Sequence, residues 1–151
     1  MKGRLSLVFC ALLGCSIPQQ GEEAVVSLDR GVYEASIEAI LQVRCANPSC
    51  HGRVDRPFSI YTPGLFRKQA ERVFLDEPLS DAEKEHNFWT ANTFANLGPE
   101  PADQRVLVQK PLGTALHHEG GPVFSSEKEG DARRLITWIV AGDSTGQGQD
   151  L

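Results

Sequence analysis

Apolar residues recur at helical spacing in several stretches of the chain, and segments rich in proline and glycine separate these stretches. The first stretch covers about residues 29–44. It begins at Asp29, a residue type that commonly caps a helix N-terminus, and it ends at a segment with two cysteines. We therefore predict an amphipathic helix that leads directly into the cysteine segment. The apolar positions of this helix are Val32, Ile37, Ile40 and Leu41.

The middle of the chain predicts a second helix, from Ser80 to about Ala95. Ser80 and Glu83 have the spacing of a capping box, in which the two side chains bond the backbone N–H groups at a helix N-terminus. The aromatic residues of this helix are expected to form core or to wall a ligand crevice. They are Phe88, Trp89 and Phe94.

A third helix is predicted over 132–141, near the end of the chain. Ser126 and Glu129 have the spacing of another capping box before it, and Gly142 is a natural C-cap after it. The apolar face of this helix carries Leu135, Ile136, Trp138, Ile139 and Val140.

The remaining segments predict loops and one short helix. Residues 53–63 hold two prolines, and residues 97–103 hold two prolines and a glycine, which favour loops, whereas 65–74 is expected to contain a short helix. The pattern as a whole predicts one all-α domain whose first and last helices cross. The residues buried between these helices would be Ile37, Ile40 and Leu41 on one side, and Leu135, Trp138 and Ile139 on the other.

The start of the chain has the pattern of a secretory signal peptide, predicted as residues 1–14. Lys2 and Arg4 precede the short apolar run 5–13, and a small residue follows. The run is too short for a transmembrane helix. An exported protein is therefore expected.

The segment Leu12-Leu13-Gly14-Cys15 resembles the lipobox of bacterial lipoproteins. That resemblance implies that Cys15 becomes the first mature residue and carries a lipid anchor, so that the protein lies in the periplasm or at the outer membrane. Residues 15–28 are polar and are predicted to form a flexible tether. An ordinary secretory signal cut nearby is the alternative.

Cleavage of residues 1–14 from the 151-residue chain leaves 137 residues, enough for one domain with a hydrophobic core. It removes two of the 15 basic residues, which leaves 13 against 20 acidic ones and a net charge of −7. This balance argues against nucleic-acid binding. Cys10 is lost with the signal, so the mature chain keeps Cys45 and Cys50 besides the lipidated Cys15.

The segment Cys45-Ala46-Asn47-Pro48-Ser49-Cys50-His51 predicts covalent attachment of one haem c. In such sites two cysteines form thioethers with the haem, and the histidine after the second cysteine ligates the iron. The spacer has four residues instead of two, and Pro48 favours an outward turn. Two alternatives stay open: a Cys45–Cys50 disulfide, and a zinc site formed by the cysteines, His51 and His117 or His118.

The composition limits the second axial ligand of such a haem. The chain has one methionine, Met1, which is lost with the signal, so methionine ligation is excluded. The remaining candidates are His86, His117 and His118. His86 stands among charged residues of the middle helix and is expected to be a solvated surface residue.

Two segments resemble a group of small periplasmic c-type cytochromes from myxobacteria and planctomycetes. They are ILQVRCANPSCHG at 40–52 and LVQKPLG…HHEGGPVF…LITWIVAG at 107–142. The resemblance implies a class-I-like cytochrome c domain over 29–144, with long loops around one haem and a polar tail at 145–151. It also implies His118, which matches a His-x-Gly-Gly pattern, as the distal ligand, with His117 as the second choice. The longer cysteine spacer and the doubled histidine depart from the family pattern.

These patterns together predict a lipid-anchored monohaem electron carrier, not an enzyme, whose partners are redox proteins and the membrane. Two histidine ligands would lower the reduction potential relative to a His/Met pair. The alternatives are a structural or zinc-binding lipoprotein and a five-coordinate haem protein that acts as a peroxidase or binds gases.

Overall fold

The computed structural model describes residues 28–98, 101–114 and 116–146, with side chains as far as Gly142. Across these ranges the protein is all-α as predicted, and its β pairing is limited to an isolated bridge between Thr62 and Phe66. None of the helices in these ranges is long and apolar enough to cross a membrane. The predicted signal peptide, Cys15 and residues 147–151 of the tail lie outside the described residues.

The first helix, α1, has three consecutive segments: α-helical Arg30–Val32, π-helical Tyr33–Ile37 and α-helical Glu38–Arg44. Asp29 caps it as predicted, since its carboxylate accepts a 2.9 Å hydrogen bond from the backbone N–H of Val32. Tyr33, and not Val32 as predicted, faces the core. Tyr33 lies four, seven and eight residues before Ile37, Ile40 and Leu41, which is the spacing of one helix face.

The second helix, α2, covers Asp81–Ala95, and the predicted capping box is confirmed. Ser80 donates to the Glu83 carboxylate through its backbone N–H and through its hydroxyl, both at 2.8 Å. On the buried face of α2, the Asn92 side-chain oxygen accepts a 2.9 Å bond from the Leu28 N–H. Leu28 is buried, so this residue, which the sequence assigns to the tether, belongs to the packed domain.

A short helix not predicted from the sequence, α3, covers Val106–Leu112. Its seven residues give a weak periodic signal, and Pro111 and Gly113 look like loop residues. Pro111 lies in the last turn, where its carbonyl accepts bonds from Val123 and Phe124 at 2.7 and 3.1 Å. Gly113 ends the helix with φ of +63°, a left-handed conformation that favours glycine.

The last helix, α4, covers Gly130–Gly146 and extends past its predicted C-terminal end. Gly142 is not its C-cap: a Cβ there would lie 2.0 Å from a methyl carbon of Leu28, so the glycine permits close packing instead. Glu129 accepts bonds from the Ser125 N–H and hydroxyl at 2.9 and 3.1 Å. The predicted pairing with Ser126 is therefore wrong by one residue.

The short helix predicted over 65–74 is also wrong, because only a 3-10 turn at Ala70–Arg72 forms there. Two interactions hold the preceding residues out of a helix. Phe66 pairs with Thr62, whose N–H donates to the Phe66 carbonyl at 2.9 Å. Arg67 extends into a buried ion pair with Glu83 at 2.9 Å. A second 3-10 turn lies at Ala102–Gln104.

The first and last helices pack together, as predicted. The Trp138 indole N–H donates to the Asp29 carbonyl at 2.9 Å, and the Trp138 and Tyr33 rings are 5.6 Å apart. At the other end, Arg44 pairs with Glu129 at 2.7 Å. Burial stabilises the fold by about 1.5–3 kcal/mol per large apolar side chain. All six predicted contact residues are buried: Ile37, Ile40, Leu41, Leu135, Trp138 and Ile139.

Candidate functional site

A crevice of about 130 Å³ opens where α1 ends, between α3 and the loop that follows α3. Four of the predicted site residues line it together: Cys45, Cys50, His51 and His118. They come from segments more than sixty residues apart in the chain, and the packing of α2 and α3 brings these segments together. The remaining lining is mainly apolar and includes Phe58, Phe94, Leu107 and Val123.

The cysteine segment leaves α1 in a compact turn. The Asn47 side chain accepts bonds from the Ser49 N–H and hydroxyl at 2.9 and 2.7 Å, and the His51 N–H donates to the Cys45 carbonyl at 3.1 Å. Residues 47–49 are exposed, so the long spacer turns outward as predicted. Gly52 closes the turn, because a Cβ there would lie 2.2 Å from the Ala46 carbonyl oxygen.

His51 is held in one orientation by the backbone. Its Nδ1 lies 2.8 Å from the Phe58 carbonyl oxygen. A carbonyl only accepts, so Nδ1 carries the proton and the Nε2 lone pair of the neutral ring is left for a ligand. Burial lowers the pKa of His51, which favours this neutral form. Metal-ligating histidines are commonly oriented in this way.

His118 is oriented in the same way by its own loop. Its Nδ1 donates to the Gly121 carbonyl at 2.7 Å, while the Gly121 N–H donates to the His118 carbonyl at 2.8 Å. Gly121 has φ of +75°, which explains why this tight turn needs a glycine. The glycines after His118 thus fix the imidazole and leave its Nε2 for a ligand.

The two imidazoles stand as a nearly parallel pair. The ring centres of His51 and His118 are 6.0 Å apart and the planes differ by 12°. Two imidazoles on opposite sides of one metal, each with a metal–nitrogen bond of about 2 Å, would have their centres roughly 6 Å apart. The distance between the ring centres therefore agrees with a single metal ion shared by the two rings.

No protein-family model, curated protein or solved structure matches this chain. The resemblance to small c-type cytochromes stays a prediction, and the geometry of the described residues is what bears on the site.

The cysteines are free thiols, and no disulfide joins them. Cys45 is buried, and burial raises its pKa to about 12. Within the described ranges no group of three or more His, Cys, Asp or Glu residues is arranged to hold a metal ion. A haem needs only two protein ligands to iron, since the porphyrin supplies the others.

The other two histidines lie outside this crevice. His117 is exposed and lines a separate surface depression behind the loop. His86 is half-buried and packs on Tyr61 with ring centres 4.8 Å apart. The expectation of a solvated His86 is therefore wrong. The structure brings only His118 of the three candidates together with His51.

Several crevice residues could not be found by sequence reasoning. Of the three aromatics predicted as possible crevice walls, Phe94 lines it, whereas Phe88 is core and Trp89 is about half exposed. Phe58 also contributes and belongs to no motif, whereas Lys110 lies in the segment LVQKPLG that carries the resemblance. The Lys110-Pro111 pair at the end of α3 is the only sequence signal near them.

The crevice is smaller than the roughly 300–1,000 Å³ of most ligand sites. Its side chains fit a haem in kind: two free thiols, two oriented imidazoles and an apolar wall. A porphyrin needs more space than this crevice has. The side chains are thus of the kind that haem attachment requires, whereas the volume is too small for the group.

Proposed function

We propose that the protein is a monohaem c-type cytochrome that carries electrons, anchored by lipid at Cys15 in the periplasm or at the outer membrane. The observation that carries this proposal is the pair of parallel imidazoles, His51 and His118, 6.0 Å apart in one crevice with both cysteines. The all-α fold and the apolar crevice wall support it.

Each residue of the crevice has a defined task in this proposal. Cys45 and Cys50 would fix the haem through thioether bonds, and His51, beside Cys50, would be the proximal ligand. His118 would fill the opposite axial position. The two backbone carbonyls at Phe58 and Gly121 hold each ring with its Nε2 free. Phe58 and Phe94 line the crevice and would shield a bound haem from water, which affects the reduction potential.

Haem supplies reversible one-electron chemistry when bound. If His51 and His118 both hold the iron, the haem would favour electron transfer over binding of peroxide or gases. Two histidines also set a lower potential than a His/Met pair. The acidic charge of the chain suits a basic redox partner.

Expression of the full chain with a cytochrome c maturation system tests this function. We expect a red protein whose Soret band stays with the polypeptide through acid–acetone extraction, because thioether bonds survive that treatment. Cys45→Ser with Cys50→Ser should lose the covalent haem. Cys10→Ser, which changes a cysteine of the predicted signal, is the matched control and should keep it.

A colourless protein that contains zinc or a disulfide would overturn the proposal. A protein with covalent haem that binds CO at once would keep the cofactor but replace the carrier role with a five-coordinate one. Loss of membrane association after Cys15→Ser, with haem retained, would support the lipid anchor.

A further inference from the structure

A short extended segment, residues 58–61, connects His51 to α2. On one side, the Phe58 carbonyl accepts a hydrogen bond from His51 Nδ1, and the Ile60 N–H donates to the His51 carbonyl at 2.9 Å. The segment thus holds both the ring and the backbone of His51. Whatever fixes these residues also fixes the imidazole.

On its other side the segment is bonded to two adjacent residues of α2. The Asn87 side chain accepts from the Tyr61 N–H at 2.8 Å and donates to the Tyr61 carbonyl at 2.9 Å. The Asn87 amide therefore makes the two hydrogen bonds to Tyr61 that a neighbouring β-strand would make. Asn87 is fully buried, so both of its bonds are shielded from water.

His86 completes the attachment one residue earlier. Its Nε2 lies 3.1 Å from the Ser59 carbonyl oxygen and 3.0 Å from the Ser59 hydroxyl. Because the carbonyl only accepts, His86 Nε2 carries a proton and donates it to the segment. Four backbone groups of the three consecutive residues 59–61 are thus hydrogen-bonded either to α2 or to His51.

We propose that His86 and Asn87 are positioning residues for His51. Through the backbone of 58–61 they hold the Phe58 carbonyl where it keeps the His51 proton on Nδ1 and the Nε2 lone pair available to a metal. The inference deepens the proposed function, but the tautomer of His51 is a property of the polypeptide alone. Sequence spacing gives no sign of it, since the partners are 26 or more residues apart.

The first test uses nitrogen NMR of the histidine rings in the full chain produced without haem. Wild type should show His51 as the Nδ1–H tautomer. His86→Phe keeps a ring on Tyr61 but removes the N–H, and it should give a mixture of tautomers. His86→Gln, which restores an N–H donor, should recover the wild-type signal. Thr93→Ala, on an exposed position of the same helix, is the control and should change nothing.

If His86→Phe does not fold, Asn87→Asp serves instead, because it keeps the side-chain size and removes the donor to Tyr61. The proposal is overturned if wild-type His51 is the Nε2–H tautomer, or if the folded variants keep the pure Nδ1–H form.

The second test uses the haem-loaded chain in a His118→Ala background, in which His51 would be the only axial protein ligand. The iron–His51 stretching band should shift to lower frequency when His86→Phe is added, and should return with His86→Gln. An unshifted band in a folded variant would also contradict the positioning role. Failure of any haem to attach would count against the proposed function alone, since the NMR result would still decide the positioning role.

Discussion

The ion pair of Arg67 with Glu83 and the imidazole pair of His51 with His118 are two polar centres set in largely apolar surroundings. The carboxylate of Glu83 is saturated by protein donors. Two guanidinium N–H groups of Arg67 reach it at 3.0 and 2.9 Å, the Lys68 N–H at 2.8 Å, and Ser80 donates twice. Both side chains are almost completely buried.

The imidazole pair is bonded on one side only. Each ring donates from Nδ1 to a backbone carbonyl, and among the described residues neither Nε2 has a hydrogen-bond partner. The two rings are partly accessible and face a crevice.

The difference supports a structural role for the first centre and the proposed ligand-binding role for the second. At Glu83 the polypeptide completes its own hydrogen bonding, so the pair fixes the segment 67–83 to the start of α2. At the crevice it orients two ligand atoms and leaves them without a protein partner. Complete hydrogen bonding therefore favours a stabilising role for the Arg67–Glu83 pair, and the unpaired Nε2 atoms favour the proposed binding role for the imidazole pair.

The largest effect should come from breaking the structural centre. Glu83→Ala leaves the buried Arg67 guanidinium without its partner, which typically costs about 3–5 kcal/mol. We expect that loss in the free energy of unfolding, measured by urea denaturation. Asp81→Ala, an exposed change in the same helical turn, should cost less than about 1 kcal/mol. Equal effects of the two variants would show that the Arg67–Glu83 pair does not stabilise the fold.

A smaller loss is expected at the turn that carries the cysteines. Gly52→Ala places a methyl group against the Ala46 carbonyl, and such crowding typically costs about 1–3 kcal/mol. Thermal melting should show the loss, and haem attachment should fall with it because Cys50 and His51 move. Gly130→Ala meets no atom within 4 Å and is the matched control. An unchanged melting temperature for Gly52→Ala would contradict the close approach.

The smallest effects should appear as pH dependence of the haem-free chain. His51 has a pKa below its usual 6.5, chiefly because it is buried, so the unfolded chain takes up its proton first and stability falls as pH drops below about 6.5. Glu83 has a pKa near 2 instead of 4.5, chiefly through Arg67. Its contribution is complete above pH 4.5 and is lost towards pH 2, by roughly 1 kcal/mol per pH unit.

Urea midpoints measured across this pH range would separate the two centres. His51→Gln should remove the loss of stability below about pH 6.5 and leave the loss between pH 4.5 and 2, and Glu83→Gln should do the reverse. A single step shared by both variants would mean that the two centres are not energetically distinct.

The long helices could be predicted from sequence because periodicity and capping act locally. Asp29 and the Ser80–Glu83 box mark two N-termini correctly, and the apolar stripes identify the crossing of α1 and α4. The conformation of 65–74 could not be predicted, because Arg67 forms a buried ion pair with Glu83, sixteen residues away. In the sequence Gly142 resembles a helix C-cap. In the structure a glycine is needed there because Leu28, which is distant in the chain, packs closely against it.

The candidate site was partly predictable because part of it is also local in the sequence. Cys45, Cys50 and His51 form a local motif, and the glycines after His118 signal a tight turn beside it. The orientation of His51 depends on Phe58, His86 and Asn87, which meet only through the packing of α2. No spacing rule connects these residues, so the sequence predicts the ligands but not what orients them.

The central claim is that one haem iron lies between His51 and His118, and the absorption spectrum of the ferric protein tests it most directly. We expect a low-spin spectrum that does not change over minutes with cyanide. His118→Ala should make it high-spin, and the reduced variant should bind CO, whereas the neighbouring His117→Ala should leave it low-spin. A wild-type protein that is already high-spin and binds CO when reduced would contradict the claim, as would a low-spin spectrum that only His117→Ala abolishes.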